Sequence, residues 1–113
     1  MSNVDRYSVL SEFFKALSDP LRIEILEILK AGEQNFKSIR DIIDRSPSIL
    51  SNHLKILIDH DFLNVRSEGA SKYYTVKNPE IFSILHSVDS FENTIRLNKI
   101  VELSRSGSNE LLR

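Results

Sequence analysis

Between Tyr7 and Leu17 the apolar residues Val9, Leu10, Phe13, Phe14 and Leu17 recur at intervals of three and four, the period of a helix with one buried face. Ser18, Asp19 and Pro20 interrupt that pattern. Asp19 offers a capping acceptor, and Pro20 suits a first helical position, where no backbone N–H is required. A second helix therefore runs through Leu21, Ile25, Leu26 and Leu29 until Gly32 stops it. A shorter third helix is predicted over about 36–45, with Phe36, Ile39, Ile42 and Ile43 inward and Lys37, Arg40, Asp41 and Asp44 outward. Ser46 and Pro47 repeat the cap-and-proline device and open a fourth helix. Leu50, Leu54, Leu57 and Ile58 share one of its faces, and Ser48, Ser51, Asn52, Lys55 and Asp59 the other.

After Asp61 the period falls to two, with Leu63, Val65, Tyr73 and Thr75 alternating around Glu68, Gly69, Ala70 and Ser71. That is the pattern of a β-hairpin with its turn near Gly69. Beyond Asn78 and Pro79, a long helix is marked by Ile81, Ile84, Leu85, Val88, Phe91 and Ile95. Its register blurs between Asn93 and Leu97, which leaves open a break and a second helix ending near Leu103. Two helices joined by a short break, followed by a hairpin, make a winged helix-turn-helix. The expected class is α+β, mostly α, with a two-stranded β-hairpin wing in one domain over 1–103 and a frayed polar tail over 104–113.

Composition narrows the function. A chain of 113 residues supports one core and leaves a large apolar face better covered by a partner subunit. Cysteine is absent, which excludes disulfides, thiolate metal ligands and cysteine nucleophiles. No basic leader or apolar run of membrane length is present, so a soluble cytoplasmic protein without membrane partners is expected. The net charge of −1 conceals a modest asymmetry: residues 35–77 hold seven Lys or Arg against five acids. No glycine-rich phosphate loop, nucleophile elbow, metal dyad or carboxylate pair in an apolar frame is found, so enzymatic function is not expected.

Three runs carry a closer likeness. Leu17-Ser18-Asp19-Pro20-Leu21-Arg22 precedes the second helix, Ser51-Asn52-His53-Leu54 with Leu57 lies in the fourth, and Tyr73-Tyr74 lies on the returning strand. In this order and at these distances, the chain resembles the ArsR-type (ArsR/SmtB) repressor family from about Phe14 to Val88. The resemblance implies a homodimer that binds double-stranded DNA at a palindromic operator and represses transcription, with the first and last helices forming the dimer interface. Val9, Phe13, Phe14, Ile84, Val88 and Phe91 fit that role, being more apolar mass than one small domain needs.

The chain also departs from the family. Where many metal-sensing members carry a cysteine pair, it reads Glu33, Gln34, Asn35, Phe36, Lys37. Where others carry Asp and His on the last helix, it reads Asn78, Glu80, Phe91 and Thr94. No metal or other cofactor is therefore expected; a small-molecule effector, a different interface site or no ligand at all remain open.

Eight residues are candidate DNA contacts. Ser48, Ser51, Asn52 and Lys55 can reach base edges or phosphates from the fourth helix, and Asn is suited to adenine; a plain solvated helix face is the bland alternative. Arg66 and Lys72 flank the hairpin tip, where they suit phosphate or the minor groove, although Glu68 makes the tip less basic. Lys37 and Arg40 are phosphate candidates on the third helix. His53 sits toward the core side and is expected to be a packed, hydrogen-bonded residue that positions the helix, and the three scattered histidines lack metal-ligand spacing. A winged helix that binds proteins and never touches DNA is the alternative function.

Overall fold

The computed structural model describes residues 2–106. The element order is α1 (Asn3–Ala16), α2 (Pro20–Leu29), β1 (Gln34–Asn35), α3 (Phe36–Ile42), α4 (Pro47–Asp59), β2 (Leu63–Glu68), β3 (Ser71–Val76) and α5 (Glu80–Arg105). These elements form a winged helix-turn-helix, as the order of periodicities implied.

Local chemistry sets most boundaries. Helix α1 starts four residues before Tyr7 because the Ser2 side chain caps it, accepting from the Asp5 N–H at 3.2 Å while its hydroxyl donates to the Asp5 carboxylate. Asp19 caps α2 through the Leu21 N–H, and Ser46 caps α4 through the Ile49 N–H, each with proline next in the chain. Helix α3 ends at Ile42, earlier than the predicted Arg45, because Ile43 is already extended. Helix α4 ends in paired bonds, from the Phe62 N–H to the Leu57 carbonyl and from the Asp61 N–H to the Ile58 carbonyl, around Asp61 at φ 62°. This is a Schellman turn built on aspartate where glycine is the usual residue.

Two compact units divide between Pro79 and Glu80. In the first, Ile25, Leu26, Ile39, Leu50, Leu54 and Leu57 are fully buried, so the second, third and fourth helices contribute to one core. Burying each such side chain contributes about 1.5–3 kcal/mol, which holds the inner face of α4 firmly. Two inward assignments need correction: Ile42 is 58% exposed and Phe36 only half-buried, because Ile39 and Ile43 take the core-facing side and Ile42 falls beside it.

The sheet is three-stranded in the order β1-β3-β2, so the wing hairpin gains a strand that was not predicted. β1 is two residues long, too brief to show alternation, and pairs Gln34 with Tyr74 and Asn35 with Tyr73. Gly69, at φ 59°, supplies the left-handed residue of the tight hairpin turn.

The second unit contains α5, one unbroken helix of 26 residues that runs past residue 103 to Arg105. Residues 107–113 of the expected tail lie outside the described residues. Among the described residues no helix is long and apolar enough to cross a membrane.

Candidate nucleic-acid interface

Helix α4 separates its two faces cleanly. Leu50, Leu54 and Leu57 are buried, while Ser48, Ser51, Asn52 and Lys55 are exposed. The spacing that packs the leucines leaves these four polar residues on a continuous outer stripe. The short side chains of Ser48, Ser51 and Asn52 let the helix approach a surface closely. Lys55 is paired with Asp59 at 2.7 Å one turn on, an exposed pair that a phosphate can displace at little cost.

His53 lies between the two faces. Its Nδ1 is 2.9 Å from Nη1 of Arg22, and a guanidinium only donates, so Nδ1 accepts and the neutral ring carries its proton on Nε2. The positioning role expected for this histidine is thus given a partner. The sequence pattern offers no role for Arg22 beyond its place in a motif. Among the described residues Arg22 is the buried charged side chain, at 9% exposure.

Lys37 and Lys72 come together from distant parts of the chain. They line a cleft of about 260 Å³ with Asn35, Phe36, Ala70 and Ser71, between the start of α3 and the wing tip. Asn35 makes this possible, since it pairs with Tyr73 in the sheet and also caps α3 through the Ser38 N–H at 2.8 Å. Arg40 lies one turn further along α3, exposed. Arg45, in the turn before α4, is a further exposed cation to which the sequence pattern assigns no role.

Arg66 is placed differently from the other cations. It stands on β2 opposite Tyr73, lies over that ring at 4.3 Å, and reaches across β3 to Glu33 beside β1. Its Nε and Nη2 donate to the two Glu33 oxygens at 2.9 and 2.7 Å, and its Nη1 donates to Glu68 at 2.7 Å. Both nitrogen edges are engaged, so Arg66 braces the three strands through exposed ion pairs. The hydrogen bond from Arg66 holds the Glu33 carboxyl below the usual carboxylate range. The brace is therefore complete at neutral pH and is lost only as pH falls through that lowered value.

The residues expected at a subunit contact are largely uncovered. Val9 and Phe14 on α1 are exposed, as are Ile84, Val88 and Phe91 on α5, with Phe91 at 64%. Val4, Tyr7 and Leu10 share the side of α1 that carries Phe14, with Val9 on another, and Ile95 extends the row of Ile84, Val88 and Phe91 on α5. The expectation that α1 buries its apolar face thus fails within one chain for Val9, Leu10 and Phe14. Phe13 is the exception: its ring meets Phe14 edge-on and Phe62 at a tilt, both at 5.4 Å.

This arrangement has counterparts. Residues 19–65 match a family profile described as "Bacterial regulatory protein, arsR family". The arsenical resistance operon repressor of Staphylococcus xylosus is 32% identical over 83 residues, covering 74% of this chain and 80% of the relative. The crystal structure of Rv0081 from M. tuberculosis aligns with a TM-score of 0.75 at 24% identity, over 88% of this chain and 99% of that one. The solution structure of Mb0332 from Mycobacterium bovis, described as a homodimeric winged helix-turn-helix DNA-binding domain, aligns with a TM-score of 0.71 at 21% identity, over 82% and 88% of the two chains.

Proposed function

Because this chain belongs to the ArsR family of bacterial regulatory proteins, we propose that it is a homodimeric transcriptional repressor that reads a palindromic operator in duplex DNA with α4. The observation that carries this reading is the outer stripe of α4, Ser48, Ser51, Asn52 and Lys55, exposed on a helix whose opposite face is fixed in the core. A helix that is immobile on one side and carries short polar groups on the other fits a major groove. Ser48, Ser51 and Asn52 face base edges. Lys55, Lys37, Arg40 and Lys72 neutralise phosphates, with the Lys37–Lys72 cleft straddling the backbone between helix and wing. Arg66 keeps the wing in place for Lys72.

The second copy covers the exposed rows of α1 and α5. Such apolar surface is more than a monomer of this size ordinarily leaves in water. Divalent metals do not control the protein in this reading, since the family's cysteine and last-helix Asp and His positions are occupied by other residues.

Genomic selection of bound fragments with purified protein, followed by fluorescence anisotropy on the selected site and a scrambled duplex, tests the proposal. Tight, salt-sensitive binding with preference for the selected site is expected. A folded dimer that binds neither duplex at low salt would be a protein-interaction module instead.

A further inference from the structure

Among the described residues Arg22 has no carboxylate partner. Its guanidinium is instead held by the end of another helix: Nε donates to the Ala16 carbonyl at 2.6 Å and Nη2 to the Lys15 carbonyl at 3.2 Å. These are terminal carbonyls of α1 at the negative end of the helix dipole, and that of Lys15 also accepts from the Ser18 N–H and hydroxyl. The third arm, Nη1, reaches Nδ1 of His53 on α4, 31 residues away in sequence. A buried cation satisfied in this way requires all three acceptors to stay in place, since stranding a buried charged donor is far more costly than losing an exposed ion pair. The fork therefore ties two elements with different tasks: α1, which presents one of the uncovered apolar rows, and α4, which presents the polar stripe.

We propose that Arg22 is a positioning residue that passes the placement of the α1 C-terminus to the recognition helix through His53, so that changes along the apolar row of α1 alter how α4 reads DNA. The inference rests on the reading of α4 as the DNA-reading helix and adds a route by which that helix is controlled. His53 then serves as the acceptor that receives the arginine, and its contribution to binding is set by Nδ1.

The substitution His53→Ala removes that acceptor without altering the outer stripe. Operator affinity should fall severalfold, with roughly tenfold as the ceiling set by a hydrogen bond to a charged donor that is needed only in the DNA-bound arrangement. His53→Asn, whose side-chain oxygen can accept where Nδ1 does, should restore affinity to within about threefold of wild type. Thermal melting and sedimentation identify any variant that has simply lost its fold.

A second readout needs no DNA. The Leu17 and Ser18 amides, bonded to the Phe14 and Lys15 carbonyls, lie in the α1 terminus that Arg22 clasps. His53→Ala should speed their hydrogen exchange severalfold, His53→Asn should not, and the β3 amides should be unchanged in both. Wild-type affinity in folded His53→Ala, failure of Asn to rescue, or unaltered exchange at Leu17 and Ser18 would each overturn the relay. Absence of duplex binding by the wild type refutes the DNA reading instead, and the exchange arm then decides the linkage alone.

Discussion

At the scale of single residues, the proposed interface divides into groups expected to carry sequence information and groups expected to carry charge. Asn52→Ala should lose about 1–3 kcal/mol on the best operator and relax base preference, with little change on random DNA. Lys72→Ala should weaken all sequences alike and lower the salt slope by about one counterion for each phosphate left without its lysine. Arg66→Ala should change that slope less than Lys72→Ala, because Glu33 and Glu68 already engage the guanidinium. Anisotropy titrations across salt concentrations separate all three; equal slope changes for Arg66 and Lys72 would restore Arg66 as a phosphate ligand. Tyr74 makes a different prediction. Burial raises its phenol pKa, so its share of stability is complete below the ordinary phenol value of about 10 and is lost as pH rises through the folded value. Urea midpoints at about pH 8 and about pH 11 should therefore fall more for wild type than for Tyr74→Phe.

At the scale of elements, what could be read in advance follows from how local each signal is. The caps at Asp19 and Ser46 are complete within four residues, and both helices begin where those residues require. Ser46→Ala should accordingly cost about 1 kcal/mol of unfolding free energy, measured by urea denaturation, while leaving the α4 stripe chemically intact. The cap at Ser2 was equally legible, since Ser2 and Asp5 stand three apart, yet the apolar period drew the predicted start to Tyr7. Strand β1 could not be read. Its two residues have no pattern of their own and are extended because β3 pairs with them. Ile42 was misplaced because adjacent Ile42 and Ile43 cannot both face the core, and the fold buries Ile43 with Ile39.

At the scale of the whole molecule, the proposed dimer depends on the uncovered apolar residues of α1 and α5. Phe14→Asp and Phe91→Asp should each give monomer in sedimentation and weaken operator binding strongly, since paired half-sites require paired subunits. A wild type that sediments as monomer at every concentration would remove the dimer from this account. With two-fold symmetry the recognition helices enter successive major grooves, and the selected site should be a palindrome with half-sites about 34 Å apart.

The sequence by itself determined the order of the helices and the wing hairpin, the inner and outer faces of α4, and the hairpin turn at Gly69, because each depends on residues close together in the chain. Tertiary structure alone decided the partnerships of charge. Lys37 meets Lys72 in one cleft, Arg66 crosses a strand to Glu33, and Arg22 joins the end of α1 to His53. A cation's role depends on which acceptor reaches it, and the folded chain brings Arg22 to His53 across 31 residues and Arg66 to Glu33 across 33; spacing along the sequence holds no trace of that.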